Sequence, residues 1–119
     1  MSCGKGWGEL TLTVPVMKLD TFYKGNGVAF MKIDVEGNEE KVLRGAKEIL
    51  EKYHPKIFFE VNKKTFGDYS RAYEVYNDLL SPFGYKLFFA KNGTLPPIKD
   101  ELARDDVRAM SSQNWFAKV

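Results

Sequence analysis

Two short strings hold most of the side chains able to do acid–base or ligand chemistry: Asp34-Val35-Glu36 and Glu60-Val61-Asn62. Each closes an apolar run, VAFMKIDV at Val28–Val35 and KIFFEV at Lys56–Val61. Open α/β sheets place ligands beyond the carboxyl ends of their strands, so the two strings are expected to meet on one rim. A carboxylate there can take a proton from a hydroxyl or an amine, and like-charge crowding strengthens such a base. Asp34 is the first candidate for this role and Glu36 the second. Glu60 and Asn62, with Asn114 at the head of the run NWFAKV, are candidate substrate-binding groups. An oxygen-rich rim also suits Mg²⁺ or Ca²⁺, with Asp34 and Glu60 as weak candidate ligands. A plainer account competes with all of this. Glu36, Gly37, Glu39 and Glu40 make an acidic first helical turn, and Asp34 caps its amides.

These residues need elements to hold them. Leu10, Leu12, Val14 and Val16 alternate with Thr11 and Thr13, which predicts a half-buried strand, at an edge because of Pro15. Met17–Tyr23 suits one short helical turn, and Lys24-Gly25-Asn26-Gly27 is a turn. Val28–Val35 reads as a parallel strand covered on both faces. A helix opens at Gly37-Asn38, carries an apolar stripe (Val42, Leu43, Ala46, Ile49, Leu50, Tyr53) and stops at Pro55 beside His54. Lys56–Val61 is a second buried strand. A helix over Asp68–Leu80 turns Ala72, Val75, Tyr76, Leu79 and Leu80 inward and ends at Pro82 and Gly84. Tyr85–Ala90 is a third strand, Asn92–Pro97 a loop, Asp100–Met110 a short charged helix and Asn114–Val119 the last strand. Strands alternating with helices imply crossover units and a mostly parallel sheet, with the last strand free to run antiparallel. The aromatics Phe58, Phe59, Phe83, Tyr85, Phe88 and Phe89 read as core, as do Trp115 and Phe116. Residues 1–9 form a flexible lead-in, and 10–119 one α/β domain.

The string Met31-Lys32-Ile33-Asp34-Val35-Glu36-Gly37-Asn38-Glu39, followed by Val42-Leu43-Arg44-Gly45-Ala46, resembles the signature of the FkbM methyltransferase family. Val14-Pro15-Val16 and Leu19-Asp20 resemble its lead-in, and Pro55–Val61 its next strand, so the similarity runs over about residues 14–62. The resemblance implies a seven-stranded, Rossmann-like methyltransferase sheet, of which this chain supplies the fourth to seventh strands. It implies S-adenosylmethionine as methyl donor and a hydroxyl of a small metabolite or sugar as acceptor. In such folds the donor is gripped by the first half, through a Gly-rich turn and an acidic residue. Gly4, Gly6 and Gly8 do not replace that turn, so the N-terminal cofactor-binding half is expected to be missing. Donor binding then requires a complementary half or self-assembly. The strand at Val28–Val35 becomes an exposed edge. A homodimer through residues 28–35, or a complementary polypeptide, is the expected partner.

Composition narrows the alternatives. At 119 residues, 44% hydrophobic and 29% charged, the chain suits one folded domain. A net charge of +2 with no basic block argues against a nucleic-acid partner. No apolar run approaches the ~20 residues of a membrane span. Cys3 alone makes no internal disulfide, and with His54 it makes no zinc site, so a reducing, cytoplasmic setting fits. Beside the methyltransferase reading stand a non-enzymatic oligomerisation module and an acidic-rim module that binds metal or a small molecule.

Overall fold

The computed structural model describes residues 10–89 and 112–119. The lead-in 1–9 with Cys3 and its glycines, the loop Asn92–Pro97 and the helix expected at Asp100–Met110 lie outside the described residues. Chain order is α1 (Leu19–Phe22), β1 (Phe30–Ile33), α2 (Glu39–Arg44), α3 (Lys47–Tyr53), β2 (Lys56–Asn62), α4 (Lys63–Phe66), α5 (Tyr69–Leu80), a 3₁₀ turn (Ser81–Phe83), β3 (Lys86–Phe89) and β4 (Ser112–Lys118). The four strands form an open sheet in the order β1-β2-β4-β3. β1 and β2 are parallel, and β4 is antiparallel to both β2 and β3. Three strands therefore run one way, with the last inserted between two of them in the opposite sense.

The pleat explains the core. Met31 and Ile33, Ile57, Phe59 and Val61, Leu87 and Phe89, and Trp115 and Ala117 are all buried. The register sets Ile33 beside Phe59, Phe59 beside Trp115 and Trp115 beside Phe89, so these odd-numbered residues share one face. That face packs on the helices through Leu43, Ala46, Ile49, Leu50, Tyr69, Ala72, Tyr76, Leu79 and Leu80. Phe59 and Tyr76 lie 4.8 Å apart between ring centroids, and Trp115 meets Phe59, Tyr69 and Tyr76 at 6.1–6.4 Å. Such rings add packing energy beyond their area. The Nε1–H of Trp115 is buried without a hydrogen-bond partner among the described residues.

Four expectations are corrected. No strand forms over Leu10–Val16: the segment is irregular, and Leu10, Leu12, Val14, Val16 and Met17 are exposed. Alternation marks a strand only where a neighbour offers a ladder, and among the described residues none pairs with it. β1 is shorter than Val28–Val35, and among the described residues the sheet is covered on one face only. Phe30 and Lys32 are exposed on the other face, and Phe58, Phe88 and Phe116 are half-buried there. The aromatic cluster therefore splits, with Phe59, Tyr85 and Phe89 in the core and Phe58 and Phe88 opposite; Phe83, in the 3₁₀ turn, is half-buried. Finally, the helix after Asn38 is two helices. Asp20 makes the break: its amide donates to the Gly45 carbonyl at 2.9 Å. Its carboxylate accepts from the Glu48 amide at 2.9 Å and the Ile49 amide at 3.1 Å, giving α3 a fresh N-terminus.

Other expectations hold. The helical turn before Tyr23 is α1, and Tyr85 closes the chain behind β2 by donating its hydroxyl to the Pro55 carbonyl at 2.6 Å. Asp68 caps α5 through the Arg71 amide at 2.8 Å. His54 takes a left-handed conformation at the end of α3, where Pro55 follows. Among the described residues no helix is long and apolar enough to cross a membrane.

Candidate functional site

The loop from β1 to α2 carries the acidic string, and its shape comes from three residues. Glu36 and Gly37 both have positive φ, 50° and 97°. Gly37 occupies a conformation that a β-carbon resists, and an added one would also sit 3.2 Å from Thr65 Oγ1. Glu39 is buried at 3% exposure. Its carboxylate accepts from the Gly37 amide at 2.9 Å and the Val35 amide at 3.4 Å. Asn38 Nδ2 donates back to the Val35 carbonyl at 3.3 Å. The loop is thus folded around the Glu39 carboxylate, which stands in for a neighbouring strand or helix.

Asp34 follows β1 directly. Ile33 is aligned with Phe59, so one residue on, Asp34 comes level with Glu60. Glu60 is aligned with Asn114 across the antiparallel pair. All three are even-numbered and so lie on the uncovered face. The structure brings these three to one rim: Asp34 and Asn114 are exposed, and Glu60 is half-buried. Asp34 makes no hydrogen bond or ion pair among the described residues. Glu36 sits in the loop, exposed, one turn beyond the strand end. Asn62 is committed in part: its Oδ1 accepts from the Lys64 amide at 2.9 Å and caps α4. Among the described residues no group of three or more His, Cys, Asp or Glu lies close enough to hold a metal ion.

Three buried phenols have raised values, two of them near the acidic groups of the loop and rim. Burial pushes Tyr69 up to about 12, with the Glu60 charge adding to it. Burial likewise pushes Tyr85 up to about 12. Tyr76 rises above the ordinary tyrosine range through burial first, then the charges of Glu39 and Glu40. The carboxylates of the loop and rim are therefore felt electrostatically inside the core.

Glu39 is the residue that sequence reasoning undervalued, taking it as one of two anions in a first turn. The signal was the Gly-x-Glu spacing, which lets a carboxylate turn back onto the amide of a left-handed glycine. Asp20 was read only as part of the lead-in; its structural work needs a break at Gly45-Ala46 that periodicity does not show.

The profile of the methyltransferase FkbM domain matches residues 6–87, more than half of the chain. The chain belongs to the FkbM methyltransferase family. The match spans the lead-in, the Asp34–Glu39 loop, both parallel strands and α5. No curated protein and no solved structure matches.

Family membership implies S-adenosylmethionine, and the residues described can be tested against it. A nucleoside–methionine cofactor needs a close-approaching glycine turn between a strand and a helix, and a polar ribose contact. Among the described residues no strand precedes β1 in the sheet, and Gly25 and Gly27 lie ahead of β1 without linking a strand to a helix. A groove of about 570 Å³ along β1, lined by Leu19, Phe30–Val35 and Val42, offers Asp34 as its one acidic group among the described residues. A larger hollow, about 810 Å³, is lined by Leu12, Val14–Leu19, Phe22, Lys41, Val42 and Gly45, with no carboxylate among the described residues of its lining. These residues do not by themselves fit the cofactor.

Proposed function

We propose that this FkbM-family chain carries the acceptor-side rim of an S-adenosylmethionine-dependent O-methyltransferase, working with a complementary half that binds the methyl donor. The family match over residues 6–87 carries the reading. A further observation supports it. Asp34, Glu60 and Asn114 share one face at one strand end, the usual place for ligands on an open α/β sheet. Of the four strands only the last in sequence runs antiparallel to its neighbours, an orientation that the sequence left open.

S-adenosylmethionine supplies an electrophilic methyl group when bound. This chain's task is then to orient the acceptor and remove its proton. Asp34, exposed and unengaged, is the base that accepts the hydroxyl proton. Glu60 and the amides of Asn114 and Asn62 hold neighbouring hydroxyls of a metabolite or sugar. Glu39 is a positioning residue: it holds the loop that follows Asp34. Glu36 lies farther along that loop and is the second candidate for base. A non-catalytic reading has one observation in its favour: among the described residues no glycine turn links a strand to a helix ahead of β1.

The test is Asp34→Asn in the chain assembled with a complementary half. Turnover falls by about 100-fold or more, while donor affinity stays unchanged. Turnover retained by Asp34→Asn removes Asp34 from the reaction. Asn114→Ala should instead raise KM for the acceptor and leave kcat close to wild type.

A further inference from the structure

Among the described residues β1 is an edge of the sheet, and its free side can be read residue by residue. The Lys56 amide donates to the Ala29 carbonyl at 3.0 Å, and Phe30 is aligned with Lys56. In a parallel ladder alternate residues address the same neighbour, so Ala29, Met31 and Ile33 face β2. Phe30 and Lys32 therefore turn both their N–H and C=O groups to the open side. Phe30 is 53% exposed, and a groove of about 570 Å³ runs along the strand. An open edge of this kind is a template for another strand.

We propose that this edge takes a second copy of the chain, β1 pairing antiparallel with the partner's β1 about a twofold axis at Met31. The choice of occupant rests on self-complementarity. Three registers let the edge-facing residues exchange hydrogen bonds. One sets Lys32 against the partner's Lys32, and like charges directly opposite destabilise. One sets Phe30 against the partner's Phe30 and leaves each Lys32 opposite the partner's Val28, beyond the strand. The third sets Phe30 against the partner's Lys32, twice, and satisfies every free group of the four-residue strand. In it each ammonium lies beside an exposed ring on the uncovered face. The chain already makes this pairing on that face, where Lys118 Nζ stands 5.0 Å from the centroid of Phe88. Met31 meets the partner's Met31 on the helix side. The result is one eight-stranded sheet with no open edge at β1. The same edge is where a complementary half would pair, so the two assemblies exclude one another. The dimer belongs to the chain alone, and its failure leaves the methyltransferase reading standing.

The register gives a specific test. Met31 and the partner's Met31 would form a non-hydrogen-bonded pair with Cα atoms about 4.5 Å apart, within disulfide range. In a Cys3→Ser background, Met31→Cys is expected to cross-link on mild oxidation, whereas Ile33→Cys, opposite the partner's Ala29, is not. Lys32→Pro removes a donor that the β1–β2 ladder does not use. It should convert a dimer of twice 13.6 kDa by light scattering into a folded monomer. A monomeric Cys3→Ser chain, cross-linking at Ile33→Cys instead of Met31→Cys, or a dimer untouched by Lys32→Pro would each overturn the proposal.

Discussion

Glu39→Ala is the substitution whose cost the structure defines best. Glu39 is buried at 3% exposure, and its carboxylate receives the amides of Gly37 at 2.9 Å and Val35 at 3.4 Å. Removing it leaves both amides without this acceptor in a part-buried loop. An orphaned buried group costs about 1–3 kcal/mol. The Gly37 bond is well formed and the Val35 bond long, so the first should dominate, and the pair together should be worth about 2–4 kcal/mol. Glu39→Gln keeps one acceptor oxygen and loses charge assistance, so about half of that is expected. The assay is urea unfolding, read as a lower midpoint at unchanged m, which reports stability without a change in exposed surface. Hydrogen exchange at the Gly37 amide gives the local readout and should speed up in both variants. A Glu39→Ala chain within ~0.5 kcal/mol of wild type, the size of an ordinary surface change, would refute the argument that this carboxylate holds the loop.

Gly37→Ala places a β-carbon at φ 97° and 3.2 Å from Thr65 Oγ1, and should cost about 1–3 kcal/mol in the same unfolding assay. Asp20→Ala removes the acceptor for the Glu48 and Ile49 amides at the start of α3, and should cost about 1–2 kcal/mol by thermal unfolding. Tyr69, Tyr76 and Tyr85 all have folded-state values raised above the usual 10. The folded state therefore holds more protons than the unfolded one in alkali. Stability is full below pH 10 and falls as pH rises toward 12, and these phenols should ionise, by phenolate absorbance, only as the chain unfolds. Ionisation of all six tyrosines below pH 10.5 in a still-folded chain would contradict the burial of these three.

The legible part of the fold was the part set by one strong local rule. Lys56–Val61 became β2 because a short β-branched and aromatic run lay between Pro55 and the turn-forming residues after Asn62. Asp68–Leu80 became α5 because Asp68 caps it and Ala72, Tyr76, Leu79 and Leu80 recur at helical spacing. The reversed last strand was an allowed outcome rather than a derived one. What failed needed knowledge of neighbours. Leu10–Val16 alternates like a strand and finds no ladder. Val28–Val35 is apolar on both sides, yet only Met31 and Ile33 are buried, Val28 and Val35 pack at the core's margin and Phe30 is exposed. The stripe from Val42 to Tyr53 looks continuous, although Asp20, from a distant segment, divides it at Gly45. For the candidate site, Asp34 and Glu60 could be placed at strand ends because strand ends were visible. That Asn62 is partly spent on α4, and that Glu39 is turned inward, depended on hydrogen bonds no pattern records.

The central proposal is that this chain supplies the acceptor side of a methyltransferase and takes the methyl donor only together with a complementary half. Calorimetric titration with S-adenosylhomocysteine tests it most directly, run on the chain alone and again on the chain assembled with a complementary half. The account predicts no binding heat from the folded chain alone and a saturable heat from the assembly. Tight binding to the isolated chain, or none to a well-folded assembly, would contradict it.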